Sequence, residues 1–156
     1  SAYSVNENQI REWEKTTWRL NIQLKSKSVY GGAVQFAIMD HDPTSAFKSD
    51  YLKLKEKSIR EKRYDTDSEL SLINVAWDIQ FRNIKGDEVY LLLKKDINGF
   101  SSNGPEKEYF LVTKTTFMKN RPAVWVIPFK AKLGTEQNII LDDKNVINLK
   151  QITGEE

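Results

Sequence analysis

Apolar residues recur at every second position along much of this chain. That spacing limits the fold more than any other feature, because it sends one set of side chains to one face of a sheet. Trp18, Leu20, Ile22 and Leu24 alternate with Arg19, Asn21, Gln23 and Lys25. Val34, Phe36 and Ile38 form one face of a second strand from Val29 to Met39, and the intervening KSKS predicts a hairpin between antiparallel neighbours. Ile73, Val75, Trp77, Ile79 and Phe81, separated by polar Asn74, Asp78 and Gln80, predict a half-buried strand. Across the turn NIKGDE, Val89 to Leu93 reads as a strand apolar on both sides.

The loop NGFSSNGPE then leads to a strand from Tyr109 to Phe117, which KNRP joins to AVWVIPFKAKL. Pro128 cannot donate a ladder hydrogen bond, so this last strand belongs at an edge or a bulge. NIILDDKNVINL reads as a hairpin turning at Asp142 to Asn145. Four consecutive hairpins give about eight strands, a mainly β chain forming an antiparallel sandwich or barrel. One or two accessory helices join it. Glu7 to Lys15 is the first, and Ala46 to Tyr64 the second, with Phe47, Tyr51, Leu54 and Ser58 at helical spacing behind Pro43-Thr44-Ser45; Leu52 and Leu54 also alternate, so part of it fits a strand as well.

The 156 residues suit one domain, residues 1–156, and 4 Trp, 6 Tyr and 7 Phe supply the bulk of a packed core. A formal charge of +2 gives no general attraction to nucleic acid or membranes, so such a role needs a local patch. The absence of cysteine excludes disulfides, thiolate nucleophiles and Cys-type zinc sites. No apolar run approaches the roughly 20 residues that span a bilayer. The opening SAYSVNENQI lacks a signal-peptide layout, and its missing Met is what removal of a leader or anchor would leave.

The chemistry-bearing residues gather in IMDHDPT. Asp40, Asp42 and Thr44 match the Asp-x-Asp-x-Thr pattern of aspartate-nucleophile phosphatases of the haloacid dehalogenase type. Such an enzyme would use Asp40 on phosphorus, Asp42 on the leaving-group proton, Thr113 on phosphate, and Asp142 with Asp143 on Mg²⁺. Its carboxylates stand at the ends of parallel strands, whereas hairpins predominate here. Asp40, Asp42 and Asp50 also suggest calcium, but Ser45 and Tyr51 occupy the positions where an EF-hand needs Gly and Glu. His41 is the single histidine, and no GxSxG elbow accompanies it. It reads as an exposed loop residue. No catalytic residue, metal site or cofactor is expected, and Asp40 is assigned a strand-end role.

Lys53, Lys55, Lys57, Arg60, Lys62 and Arg63, with Tyr51 and Tyr64 nearby, form the best nucleic-acid candidate, since cations neutralise phosphates and aromatics stack on unpaired bases. Asp50, Glu56, Glu61, Asp65, Asp67 and Glu69 counter it, as on an ordinary solvated helix face. Trp18, Trp77 and Trp125 fill a core or line an apolar cavity.

An apolar strand from Gly31-Gly32 to Asp40, a charged segment, further strands and Gly99 or Gly104 downstream resemble the core of the plant-virus movement-protein superfamily, over Trp18 to Phe129. That resemblance implies a β-rich, non-enzymatic protein that binds single-stranded nucleic acid without sequence preference and self-associates at host cell junctions. Asp40 would then serve fold and transport. A protein- or apolar-ligand-binding sandwich or barrel of a secreted or cell-envelope protein is the alternative expectation.

Overall fold

The alternation in the first strand is realised in full: Trp18, Leu20, Ile22 and Leu24 are buried, and Arg19, Asn21 and Gln23 between them are half-buried. The computed structural model describes residues 15–27, 29, 33–82, 89–116 and 122–148. In chain order it contains β1 (Trp18–Leu24), β2 (Ala33–Met39), α1 (Thr44–Arg60), α2 (Thr66–Arg82), β3 (Val89–Leu93), β4 (Ile97–Ser102), β5 (Glu108–Thr116), β6 (Pro122–Lys130) and β7 (Glu136–Leu141).

The strands form two sheets, and neither closes into a barrel. The first has the order β4-β1-β7; β1 runs antiparallel to β4, with Trp18 opposite Ser102, and parallel to β7, with Leu24 opposite Leu141. The second, β3-β2-β5-β6, is antiparallel throughout. Trp18, Leu20, Ile22, Val34, Phe36, Leu111, Trp125 and Leu141 fill the space between the sheets. On the other face of the second sheet, Ala37, Met39, Val112 and Val124 pack against Phe47, Tyr51, Ile73, Ala76 and Trp77 of the helices. Phe47 stacks on Trp77, with ring centroids 4.3 Å apart and planes 12° from parallel. The architecture is therefore α+β, three layers deep, where a mainly β sandwich was expected.

The largest departure is the segment from Ile73 to Phe81, which is helical. Ile73, Ala76, Trp77 and Gln80 are its buried positions, spaced i, i+3, i+4 and i+7. Residues four apart share a face in a helix and in a strand alike, so Ile73 and Trp77 satisfied both patterns. The start signal decides between them: Asp65 Oδ1 accepts from the Ser68 backbone N–H at 2.8 Å, and Ser68 Oγ accepts from the Asp65 N–H at 2.8 Å. This reciprocal cap opens α2.

The expected helix from Ala46 is present as α1. It ends on Lys62 at φ 57°, with Lys62 N bonded to Ile59 O and Arg63 N to Ser58 O. These are the two bonds of a Schellman motif, here with lysine at the position glycine usually holds. The expected helix from Glu7 lies outside the described residues except for Lys15.

Other strand assignments also shift. β1 and β2 are not a hairpin but lie in different sheets. Of the four expected hairpins, only β5 with β6 pairs as such. Residues from Ile97 to Ser102, partly read as a loop, form β4 and supply the antiparallel partner that β1 needs. Val146 to Asn148 are not strand, and the Asp142 turn is closed by side chains: Asp142 Oδ1 accepts from Lys144 N, and Asn145 Oδ1 accepts from Asp142 N, each at 2.9 Å. β6 sits at a sheet edge, as Pro128 required. β3 is an edge strand too, and its Leu91 and Leu93 are exposed where burial on both faces was expected.

Candidate functional site

Antiparallel pairing brings several strand ends to one corner of the molecule. Met39, the last residue of β2, stands opposite Phe110, so Asp40 and His41 emerge beside Lys107 and Tyr109 at the start of β5. The same end of the first sheet supplies Trp18 from β1 and Phe100 and Ser102 from β4. Tyr90 of β3 closes the side, its ring 5.1 Å from that of Phe100. Between them lies a cleft of about 370 Å³, near the lower end of the roughly 300–1,000 Å³ usual for small-molecule sites.

Its walls are aromatic and its rim is charged. Trp18 contacts Tyr109 and Phe100, with centroids 5.2 and 5.7 Å apart. Asp40 Oδ1 lies 3.0 Å from His41 Nδ1, and Asp40 Oδ2 lies 3.8 Å from Lys107 Nζ. The bond to His41, joined by the Lys107 charge, holds the Asp40 carboxyl below its ordinary 3.8. Asp40 is therefore ionised at neutral pH. An ionised carboxylate only accepts, which places the shared proton on His41 Nδ1. Burial, reinforced by the Asp40 charge, raises the Tyr109 phenol. Tyr109 stays protonated and donates to Pro105 O at 2.9 Å.

Gly104 sits in close packing. A Cβ at Gly104 would stand 3.2 Å from Ser102 Oγ, 3.3 Å from the Tyr109 hydroxyl and 3.9 Å from Trp18 Nε1. Three polar atoms thus surround the space that this glycine leaves. Trp18 Nε1 is buried and has no acceptor among the described residues.

The residues of the phosphatase pattern do not assemble here. Thr113 is buried within β5 opposite Trp125, and Asp142 and Asp143 stand beyond β7, where Asp143 accepts from Ser26 Oγ. Nor do the acids of the calcium pattern converge: Asp42 Oδ1 accepts from Thr44 N, and Asp50 Oδ2 accepts from Gln80 Nε2 at 2.7 Å. Among the described residues no group of three or more metal-ligating side chains occurs.

The basic segment is divided by the fold. Lys53, Lys57 and Arg60, spaced i, i+4 and i+7, share an exposed stripe of α1. Lys55 is half-buried, with Nζ 5.2 Å from the Tyr64 ring centroid and 5.9 Å from that of Tyr51. Arg63 pairs with Glu61 at 3.6 Å, and Lys62 sits exposed in the turn. Tyr51 is fully buried and cannot stack on a base. Gly99 lies within β4 opposite Asn21, whereas Gly104 follows β4 and donates its N–H to Ser102 Oγ at 3.0 Å.

Sequence reasoning singled out Asp40 and His41 but missed Tyr90, Phe100, Ser102, Lys107 and Tyr109. These come from three separate segments, and the only local signal was the Gly-Ser-Asn composition around Phe100. No known protein family, curated protein or solved structure matches this chain.

Proposed function

We propose that this protein is a non-enzymatic binding domain whose site is the cleft between the two sheet ends. The observation that carries this reading is the convergence of aromatic walls, from Trp18, Tyr90, Phe100 and Tyr109, with the charged rim of Asp40 and Lys107. Apolar walls with a few fixed polar groups are the usual composition of a small-ligand site. It differs from the alternative drawn from the sequence, a protein- or apolar-ligand-binding sandwich or barrel, in the charged rim of its site.

Amide chemical-shift mapping with a fragment set containing phenol, indole, cyclohexanol and methyl glucoside tests it. Saturable shifts at Asp40, Ser102 and Lys107 are expected. Shifts confined to other surfaces, or none at millimolar fragment, would reject the reading.

A second reading, single-stranded nucleic acid bound in the manner of movement proteins, is favoured by the shared stripe of Lys53, Lys57 and Arg60. Three phosphate contacts on a single strand give a log–log salt slope of about −2. Fluorescence anisotropy with labelled single-stranded RNA should show that slope, and the triple charge reversal K53E/K57E/R60E should abolish binding. Absence of binding at low salt removes this reading, together with the self-association and cell-junction role attached to it.

A further inference from the structure

The chemistry of the cleft is specific enough to name a ligand class. Resting on the binding reading above, we propose that the cleft takes a neutral, polyhydroxylated ring, the pyranose unit of a saccharide. Its hydroxyls would meet Asp40 and Lys107, and its C–H face would lie on the Tyr90 ring beside Phe100.

Charge balance is the first argument. Lys107 stands 3.8 Å from Asp40, and His41 Nδ1 stands 3.0 Å from it on the other side. An incoming anion would meet the Asp40 carboxylate, and an incoming cation would meet the Lys107 ammonium. Neither sign of ligand charge is favoured, so a neutral ligand fits best.

Hydrogen-bond character is the second. The cleft presents a donor, the Lys107 ammonium, alongside an acceptor, the Asp40 carboxylate. A hydroxyl both donates and accepts and can serve either kind of group. Lys107 and Asp40, 3.8 Å apart on the rim, can each hold one such group.

Ring geometry is the third argument, and it separates a sugar from a flat base. Sandwiching a planar aromatic needs two parallel rings about 7 Å apart, twice the van der Waals contact distance. Here Tyr90 and Phe100 lie 5.1 Å apart at 68°, and Trp18 and Tyr109 lie 5.2 Å apart at 33°. The rings touch one another and leave no slot. Tyr90 is the exposed member of the edge-to-face pair, and a puckered ring can lay a C–H face on it.

The test uses the full chain and four probes: the methyl glycosides of glucose, galactose, mannose and N-acetylglucosamine. Indole, phenol and inorganic phosphate serve as comparison ligands. At least one glycoside should bind saturably in the millimolar range and shift the Asp40 and Lys107 amide resonances. Lys107→Met, which keeps the chain length and removes the exposed rim donor, should weaken that glycoside by about tenfold and leave the thermal midpoint nearly unchanged. If indole or phenol saturates the cleft while every glycoside fails, the saccharide inference is overturned and the cleft reading survives. Tighter binding of phosphate than of any glycoside would overturn it as well. If no probe perturbs the cleft, both fall together.

Discussion

Ala76 distinguishes the helical α2 from the strand that its alternating residues suggest. In a strand through Ile73, Val75 and Trp77, Ala76 would face solvent and tolerate a charge. In α2 it is fully buried in the cluster that holds Phe47, Trp77, Val112 and Val124. Ala76→Glu adds four heavy atoms to that contact, and overpacking of this kind costs about 1–3 kcal/mol. Keeping the buried carboxyl neutral at pH 7 costs about 3.7 kcal/mol more, at 1.36 kcal/mol for each pH unit above an ordinary Glu value of 4.3. The total, about 5 kcal/mol, is comparable with the whole stability of a small domain. Val75 is only half-buried, and Val75→Thr should cost about 1 kcal/mol. Urea unfolding followed by far-ultraviolet circular dichroism gives both values at constant slope. A ranking in which Val75→Thr is the more damaging change would refute the helical assignment.

Lys62 occupies the left-handed region at φ 57° with its N–H bonded to Ile59 O, so Lys62→Gly should stabilise the fold by about 1 kcal/mol, read as a higher urea midpoint. Asn98 holds the edge strand β3 through both amide atoms, accepting from Leu93 N at 2.9 Å and donating to Leu93 O at 3.0 Å. Asn98→Ala should cost about 1–2 kcal/mol and, with Leu91 and Leu93 exposed along that edge, should increase light scattering on concentration. Because Asp40 is depressed in the fold, its contribution is present above the unfolded value and is lost as pH falls through the folded one. Asp40→Asn should therefore lower the thermal midpoint slightly at pH 6, and the gap should close as the pH drops below 3.8.

Which parts of the fold were legible in the sequence follows from how local each signal is. β1 was plain because its burial alternates without exception; α1 was legible from Phe47, Tyr51, Leu54 and Ser58 at helical spacing, although Leu52 and Leu54 also alternate. α2 was misread because Ile73 and Trp77 fit two periods, while the deciding pair, Asp65 and Ser68, lay outside the alternating window. The parallel partnership of β1 with β7 joins residues more than a hundred positions apart and leaves no local mark. The same holds for the cleft. Asp40 and His41 stood out as chemistry, but Lys107, Tyr109 and Phe100 acquire meaning only through the register that seats Met39 opposite Phe110 and Trp18 opposite Ser102. Lys53, Lys55, Lys57, Arg60, Lys62 and Arg63 were legible as a cluster in sequence; that only three share a stripe required the helix.

The central claim is that a small ligand seats in the aromatic cleft. Intermolecular nuclear Overhauser contacts between a bound methyl glycoside and the protein test it most directly. Contacts to the Tyr90 and Phe100 ring protons are the predicted result. Contacts restricted to the helix surface, at Leu52 or Ile59 of α1, would contradict the account.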